Sequence, residues 1–266
     1  MKQAVAQTYE QARRMNAPRA IALCQCFNGA LEFQAGNWRE AEAALRDSIK
    51  LHREIGAASG EALACQRLGA LLTARGRLDE AMAVLEEGVI AAERALLRAH
   101  CLARLYAAMV RNRLDAGDVV MAAHALAQGL AMHERHGHCH TCDALLFPVA
   151  VSLRIRQGEL AAAEDFCNQF EQAAQKYASR MWIAMALASR AELAAAQGDW
   201  DGAIAGYDQA HENFAAAGNL YESACCLAAA GAARLRRGAA GDVEAAQRAM
   251  EEAQAIGERI GFPMAN

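Results

Sequence analysis

The chain alternates between stretches whose apolar residues recur with helical spacing and short polar breaks built around glycine. Leu63, Leu68, Leu71 and Leu72 fall on one face of a helix that ends before Gly76. The same one-faced spacing resumes after the break, at Ala81, Val84, Leu85 and Val89. The pattern predicts two consecutive amphipathic helices joined by a tight turn at the glycine.

Turn glycines of this kind recur along the chain at intervals of 40, 41, 41, 40 and 43 residues. They are Gly36, Gly76, Gly117, Gly158, Gly198 and Gly241. Four of them are followed directly by a residue that suits a helix N-cap, namely Asn37, Asp118, Asp199 and Asp242. A constant period of this length indicates a stack of similar helix pairs, none of which buries its apolar face alone.

The predicted fold is therefore all-α, a right-handed α-solenoid of about six antiparallel helix pairs in a single domain over residues 1–266. The repeats are placed at about 19–57, 58–96, 97–137, 138–178, 179–218 and 219–261. The first helices are predicted at about 19–35, 58–75, 97–116, 140–157, 179–197 and 220–237. The second helices are predicted at about 38–55, 78–95, 118–135, 159–177, 199–216 and 242–260. Residues 2–14 are predicted to form a helix that caps the leading edge, and 242–260 to close the other end.

The composition agrees with closely packed helices and narrows the functional classes. Apolar residues make up 55% of the chain, while aromatic residues are 6% and there are only three prolines, which argues against a β-sandwich or barrel. A net charge of −4 gives no general attraction to nucleic acid or to an anionic membrane. No apolar run reaches the ~18 residues of a membrane span, and the N-terminus lacks the apolar core of a signal peptide. We expect a cytoplasmic protein with no membrane or direct nucleic-acid partner.

The nine cysteines do not suggest a disulfide framework, because the number is odd and no export signal is present. Cys24, Cys65 and Cys226 lie on predicted first helices, and Cys167 takes a position that holds leucine in other repeats. We expect these thiols to be buried as small apolar side chains.

The repeat resembles the tetratricopeptide repeat family in its longer variety of about 40 residues. The family's small residue in the first helix is matched by Gly29, Gly69, Ala191 and Gly231, whereas Val110 and Val151 depart from it. Its small residue at the start of the second helix is matched by Ala41, Ala81, Ala122, Ala163 and Ala203. More narrowly, the chain is similar to the sensor region that follows the ATPase part of large bacterial LuxR-type regulators. That likeness implies a separate or excised sensor region with a regulatory role.

The resemblance implies a concave surface lined by the first helices, on which the family holds peptides or partner proteins. Positions thirteen, six and two before each turn glycine are then expected to face this groove. In the middle repeats these positions carry the candidate anchors Arg104, Arg111, Asp115, Arg156 and Glu192. The fourth repeat also places Ser152 there, and the first two repeats carry apolar residues such as Leu23 and Leu63. The three arginines suit a carboxylate or phosphate, although a solvated polar face is the alternative interpretation.

One stretch, residues 133–142, departs from the repeat pattern. It contains four of the eight histidines beside the pair Cys139 and Cys142. A Cys-x-x-Cys spacing lets two thiolates bind one metal, and zinc or another thiophilic metal is the candidate cofactor. The candidate ligands are Cys139, Cys142, Cys101, His136, His138 and His140, with His100 as a substitute beside Cys101. A reversibly oxidised thiol pair and an incidental polar loop remain alternatives.

The sequence predicts a non-enzymatic module that binds a protein or peptide segment in its groove. A metal- or redox-responsive sensor that uses the 136–142 loop is the alternative function. A catalytic role is disfavoured because no zinc-protease motif, nucleotide-binding glycine loop or Ser-His-Asp arrangement is recognisable. The exposed end of a repeat stack also favours pairing of two copies as a homodimer.

Overall fold

The computed structural model describes residues 2–137 and 139–261, apart from the side chain of His133. Within these residues it contains thirteen α-helices and no strand. They are α1 (Lys2–Arg14), α2 (Pro18–Gln34), α3 (Trp38–Glu54), α4 (Ala58–Ala74), α5 (Leu78–Glu93), α6 (Arg98–Asp115), α7 (Val119–His136), α8 (His140–Arg156), α9 (Leu160–Tyr177), α10 (Arg180–Gln197), α11 (Trp200–Ala217), α12 (Leu220–Arg237) and α13 (Asp242–Ile260). The all-α prediction of six helix pairs after a leading helix is confirmed, with boundaries within about two residues of those expected.

The turn between the two helices of a pair is built by glycine and the residue after it. Gly198 ends α10 with φ 81°, a left-handed conformation that a residue with a Cβ rarely adopts. Asp199 then caps α11, because its Oδ1 accepts the N–H of Gly202 at 2.9 Å. The predicted caps Asn37 and Asp242 act differently. The Asn37 amide donates to Glu32, and the Asp242 carboxylate accepts from Arg237 and from the Ala239 N–H.

Small residues let the two helices of a pair approach closely. A Cβ added at Gly29 would lie 2.5 Å from Cγ of Leu45, and one added at Gly69 would lie 2.5 Å from Cγ of Leu85. The alanines that start the second helices are fully buried: Ala41, Ala81, Ala122, Ala163 and Ala203. Each leucine thus fills a depression that only a missing side chain on the facing helix provides.

The chain divides into two compact units, Met1–Cys142 and Asp143–Asn266. In the first unit each pair packs on the next through alternating contacts, α3 on α4 and α5 on α6. The first helices also touch one another directly, α2 with α4 and α4 with α6. These three helices form a continuous layer, which we call the α2–α4–α6 layer.

The second unit is held by smaller apolar clusters that link successive helices. Phe147 of α8 packs on Phe170 of α9, with ring centroids 6.4 Å apart, and Ala186 of α10 completes the cluster. At the end of the chain α13 packs on α12 through Ala253 and Leu227. The terminal helix therefore covers the apolar face of α12, as expected.

The nine cysteines are all free thiols, and most of them are core residues. Cys24, Cys65, Cys167 and Cys226 are buried, which confirms their interpretation as small apolar side chains. Among the described residues, no helix is both long enough and apolar enough to cross a bilayer.

Substituting the packing glycines tests the close approach of paired helices. Gly69→Ala is expected to destabilise the chain by about 1–2 kcal/mol, because overpacking against Leu85 exceeds the helix propensity gained. Gly231→Ala is the matched control, since its Cβ would meet no atom closer than 3.1 Å, at Cγ of the flexible Met250, with the Ala246 carbonyl oxygen at 3.3 Å. We expect this control to cost less than Gly69→Ala, within about 1 kcal/mol of neutral. Urea unfolding of both variants measures the difference, and equal effects would contradict the packing argument.

The ion pair between Arg237 and Asp242 predicts an acid dependence of stability. Hydrogen bonds from Arg237 lower the pKa of Asp242 to about 2, from an ordinary value of 3.8. The stabilisation is present above pH 3.8 and is lost as the pH falls towards 2, because the unfolded chain binds the proton first. Asp242→Asn is expected to be less stable than the native chain at pH 6, with a difference that shrinks below about pH 4. Chemical unfolding at each pH measures this, with Glu244→Gln at an exposed neighbouring position as the control. A difference that is independent of pH would refute it.

Candidate functional site

The Cys-x-x-Cys motif lies at the beginning of α8. Cys139 immediately precedes the helix, and Cys142 lies in its first turn. The Cys142 N–H donates to the carbonyl oxygen of Cys139 at 2.8 Å. This turn brings both thiols to the same side of the chain.

A histidine from another helix meets the two thiols. His100 lies in the first turn of α6, and its Nδ1 is 3.3 Å from Sγ of Cys139 and 3.1 Å from Sγ of Cys142. The three atoms all lie within 4.8 Å of one another. Among the described residues, this is the one group of three His, Cys, Asp or Glu side chains that meets this distance. We call it the His-Cys-Cys cluster.

The other predicted metal ligands lie outside the His-Cys-Cys cluster or outside the described residues. Cys101 is buried, and its Sγ is directed at the carbonyl oxygen of Ser59 at 3.9 Å. One residue rotates a helix by about 100°, so Cys101 faces α4 whereas the preceding His100 faces the thiol pair. His136 is exposed and lines the adjacent cavity, while His140 begins α8. His138 lies outside the described residues, and its role as a ligand stays a prediction.

The two thiols differ in their electrostatic environment. Burial raises the pKa of Cys142 to about 12, and the neighbouring Cys139 adds to the effect. Burial also opposes ionisation of Cys139, but hydrogen bonds from Thr141 and Cys142 outweigh it and lower the pKa of this thiol. Burial, with the positive charge of Arg104, lowers the pKa of His100. At neutral pH His100 is therefore a neutral imidazole, the form that binds metals.

Arg104 lies on α6 one turn after His100 and is half-buried. Its Nη2 donates to the carbonyl oxygen of Thr141 at 3.2 Å. Its Nε is buried and has no hydrogen-bond partner among the described residues. A buried donor without an acceptor costs free energy, whereas the exposed end of the guanidinium group at Nη2 is the part that a ligand can reach.

Three predicted groove positions, one from each repeat of the first unit, line a single cavity. Leu23 of α2, Leu63 of α4 and Arg104 of α6 surround a space of about 170 Å³ on the α2–α4–α6 layer. The remaining walls are mainly apolar, with Ala62 and Leu97 among them. The cavity is thus an apolar depression with one guanidinium group at its edge. We call it the layer cavity.

The remaining predicted anchors already have protein partners. Arg111 Nε donates to both carboxylate oxygens of Asp115, at 3.0 Å each. In the second unit Glu192 Oε2 accepts from the Ser152 hydroxyl at 2.7 Å, and Arg156 is exposed at the end of α8. Their role in ligand binding stays a prediction.

A larger depression of about 480 Å³ lies against α3 and α5, and both of its arginines are already engaged. Arg53 binds Glu61 at 2.7 Å and Glu87 at 3.1 Å, and Arg46 binds Glu80. Neither guanidinium group lacks a carboxylate partner. The layer cavity is therefore the better candidate.

Comparison with known proteins supports the fold and gives no evidence about the function. No model of a known protein family matches the chain, and no curated protein matches it. The crystal structure of BtubC (BKLC) from P. vanneervenii superposes with a TM-score of 0.53 and 14% identity. The match covers 89% of this chain and 94% of that one. At this identity the likeness shows a shared all-helical, repeat-like fold.

Sequence reasoning found the two cysteines but treated His100 as a substitute. The sequence pointed to His100 only through its position, because it directly precedes Cys101, which occupies the same place in its repeat as Cys142 does in the next. Arg67 was not singled out at all, although its guanidinium lies 4.5 Å from the ring centroid of Phe27 on neighbouring first helices.

Thiol modification of metal-free, reduced protein tests the environment of the Cys-x-x-Cys pair. Cys139 is expected to react first, because it is half-buried and its pKa is lowered, with the half-buried Cys225 behind it. The seven buried thiols are expected to react only on unfolding. Timed alkylation followed by peptide mass analysis measures the order, with Cys139→Ser as the control that removes the fast phase. A fast phase at Cys142 would contradict the assigned burial.

Proposed function

We propose that this protein is a non-enzymatic binding module that holds an extended peptide segment of a partner protein on its α2–α4–α6 layer. This proposal rests on the observation that Leu23, Leu63 and Arg104 line one cavity. These residues occupy the same register position in three successive repeats. A surface that repeats its register along a layer of helices suits a ligand that is itself extended.

The apolar part of the layer cavity favours an apolar side chain of the peptide. Leu23 is 39% exposed and Leu97 is 61% exposed, so both present apolar surface to water. Covering such surface stabilises a complex by roughly 25 cal/mol per Å² before the costs of association. An aliphatic or aromatic residue therefore suits the cavity.

The charged part of the surface favours an acidic residue beside the apolar one. The guanidinium group of Arg104 lines the layer cavity and can donate to a carboxylate in a charge-assisted hydrogen bond. Arg67 adds positive charge to the same layer, although its Nη1 already donates to the Cys26 carbonyl oxygen at 3.0 Å. The chain as a whole is acidic, so these arginines are a local feature that selects an acidic peptide.

The proposal extends to the other predicted anchors and to a regulatory setting. Arg111 and Arg156 carry positive charge, and each lies on a first helix, α6 and α8 respectively. The resemblance to bacterial regulators and to tetratricopeptide repeats supports a role as a cytoplasmic regulatory module. A second copy of the chain is a further candidate partner.

Binding to a peptide array tests this function. The probes are fluorescent 12-residue peptides that pair a central Leu or Phe with Asp or Glu, and matched peptides with Asn or Gln instead. We expect the acidic set to bind more tightly. Arg104→Ala is expected to weaken that binding by about 1.5–3 kcal/mol, roughly 10- to 100-fold, because a hydrogen bond to a charge is lost.

Further variants distinguish peptide binding at the layer cavity from a non-specific effect of removing positive charge. Leu63→Asp is expected to abolish binding by placing a carboxylate in the cavity, while Arg111→Ala and Arg156→Ala test the predicted anchors. Arg39→Ala removes an exposed arginine from α3 and is the matched control. Equal binding by Arg104→Ala and the native chain would remove this surface from the mechanism.

A metal- or thiol-responsive sensor is a second candidate function. It is favoured by the convergence of His100 with Cys139 and Cys142. In the thiol version the two sulfur atoms of the Cys-x-x-Cys pair are oxidised to a disulfide by an external oxidant, with the loss of two protons and two electrons.

A further inference from the structure

We propose that His100 Nδ1, Cys139 Sγ and Cys142 Sγ form a three-ligand site for a zinc-type divalent cation. The site deepens the sensor candidate by naming its ligands and its metal, and it does not depend on peptide binding. The sequence-based ligand set came from residues 136–142 and Cys101, with His100 as a substitute, whereas this site joins His100 of α6 to the two cysteines at the start of α8.

The spacing of the donor atoms fits tetrahedral coordination. With Zn–S of about 2.3 Å and Zn–N of about 2.0 Å, neighbouring ligand atoms of a tetrahedral site lie about 3.5–3.8 Å apart. The nitrogen of His100 lies 3.3 Å from one sulfur and 3.1 Å from the other. All three atoms fall within 4.8 Å. A shift of about an ångström or less therefore places them around one ion.

The chemistry of the donors selects the metal class. Two thiols and an imidazole are borderline or soft ligands, which suit zinc and not the oxygen-binding magnesium or calcium. Binding converts both thiols to thiolates, so each zinc ion taken up releases two protons. The two thiolates balance the charge of the ion, and the neutral imidazole adds none.

The surroundings orient the ligands and leave one position open. The Thr141 hydroxyl lies 3.3 Å from Sγ of Cys139, and Arg104 holds the Thr141 carbonyl oxygen. Such outer contacts fix the geometry of a metal site. On the other side lies a cavity of about 310 Å³, whose walls include Met132, His136 and all three ligands. This space admits water as the fourth ligand.

Cobalt titration of untagged, reduced, metal-free protein tests the site. Co²⁺ is the probe because four-coordinate cobalt absorbs strongly in the visible, and thiolate ligation adds a near-ultraviolet charge-transfer band. We expect one cobalt per chain, both absorption features, two protons released and displacement by Zn²⁺. Added Zn²⁺ is expected to raise the melting temperature.

Single substitutions identify the ligands. His100→Ala, Cys139→Ser and Cys142→Ser are each expected to lower the cobalt affinity at least about 100-fold, since even an outer contact is worth 10- to 100-fold. Cys225→Ser and His124→Ala, at residues outside the His-Cys-Cys cluster, are matched controls that are expected to keep one cobalt per chain. Circular dichroism verifies that each variant remains helical, and His100→Gln serves as a second variant if His100→Ala does not fold.

Two results would overturn the site. One is less than about 0.1 cobalt per chain in the reduced native protein at saturating Co²⁺. The other is an unchanged cobalt affinity in folded His100→Ala or His100→Gln. Neither result affects the thiol-based sensor, which is measured separately as a mass loss of two hydrogens at the Cys139–Cys142 peptide after oxidation.

Discussion

The architecture depends on how closely the two helices of each pair approach. Where α2 meets α3 and α4 meets α5, glycine on the first helix leaves a depression that a leucine of the second helix fills, Gly29 for Leu45 and Gly69 for Leu85. Gly88 has the same role between pairs, since its Cβ would lie 2.6 Å from Leu105 of α6. The helices are therefore held by shape at small residues, and a protein interior of this density has little tolerance for added volume. The regular period of about 40 residues in the sequence reflects this need for small residues where the helices approach closely.

This packing also determines which side chains are left for binding. Because the second helices take up one face of each first helix and the neighbouring pairs take up its flanks, a single stripe of α2, α4 and α6 remains. Leu23, Leu63 and Arg104 lie on that stripe at the same register position. The layer cavity thus follows from the repeat itself, and at this register position the third repeat carries arginine where the first two carry leucine.

The helices and their turns were predictable because they depend on local patterns. Glycines at a constant interval, one-faced leucines and buried alanines each act over a few residues, and they set the boundaries to within about two residues. The capping roles of Asn37 and Asp242 were not predictable, because a nearby Glu32 or Arg237 competes for the side chain. The membership of His100 in the His-Cys-Cys cluster depends on the rotation of α6 about its axis. Sequence spacing placed Cys101 and Cys142 in equivalent positions, yet a single residue of rotation decides which neighbour meets the thiols.

The two candidate sites share His100 and Arg104 on a short segment of α6, and each residue can contribute to both sites at once. His100 uses Nδ1 towards the thiols, and its ring also lines the layer cavity. Arg104 donates from Nη2 to the Thr141 carbonyl oxygen beside the cysteines. A guanidinium has five donors in a fixed fork, so one group can hold the loop and still bind a carboxylate.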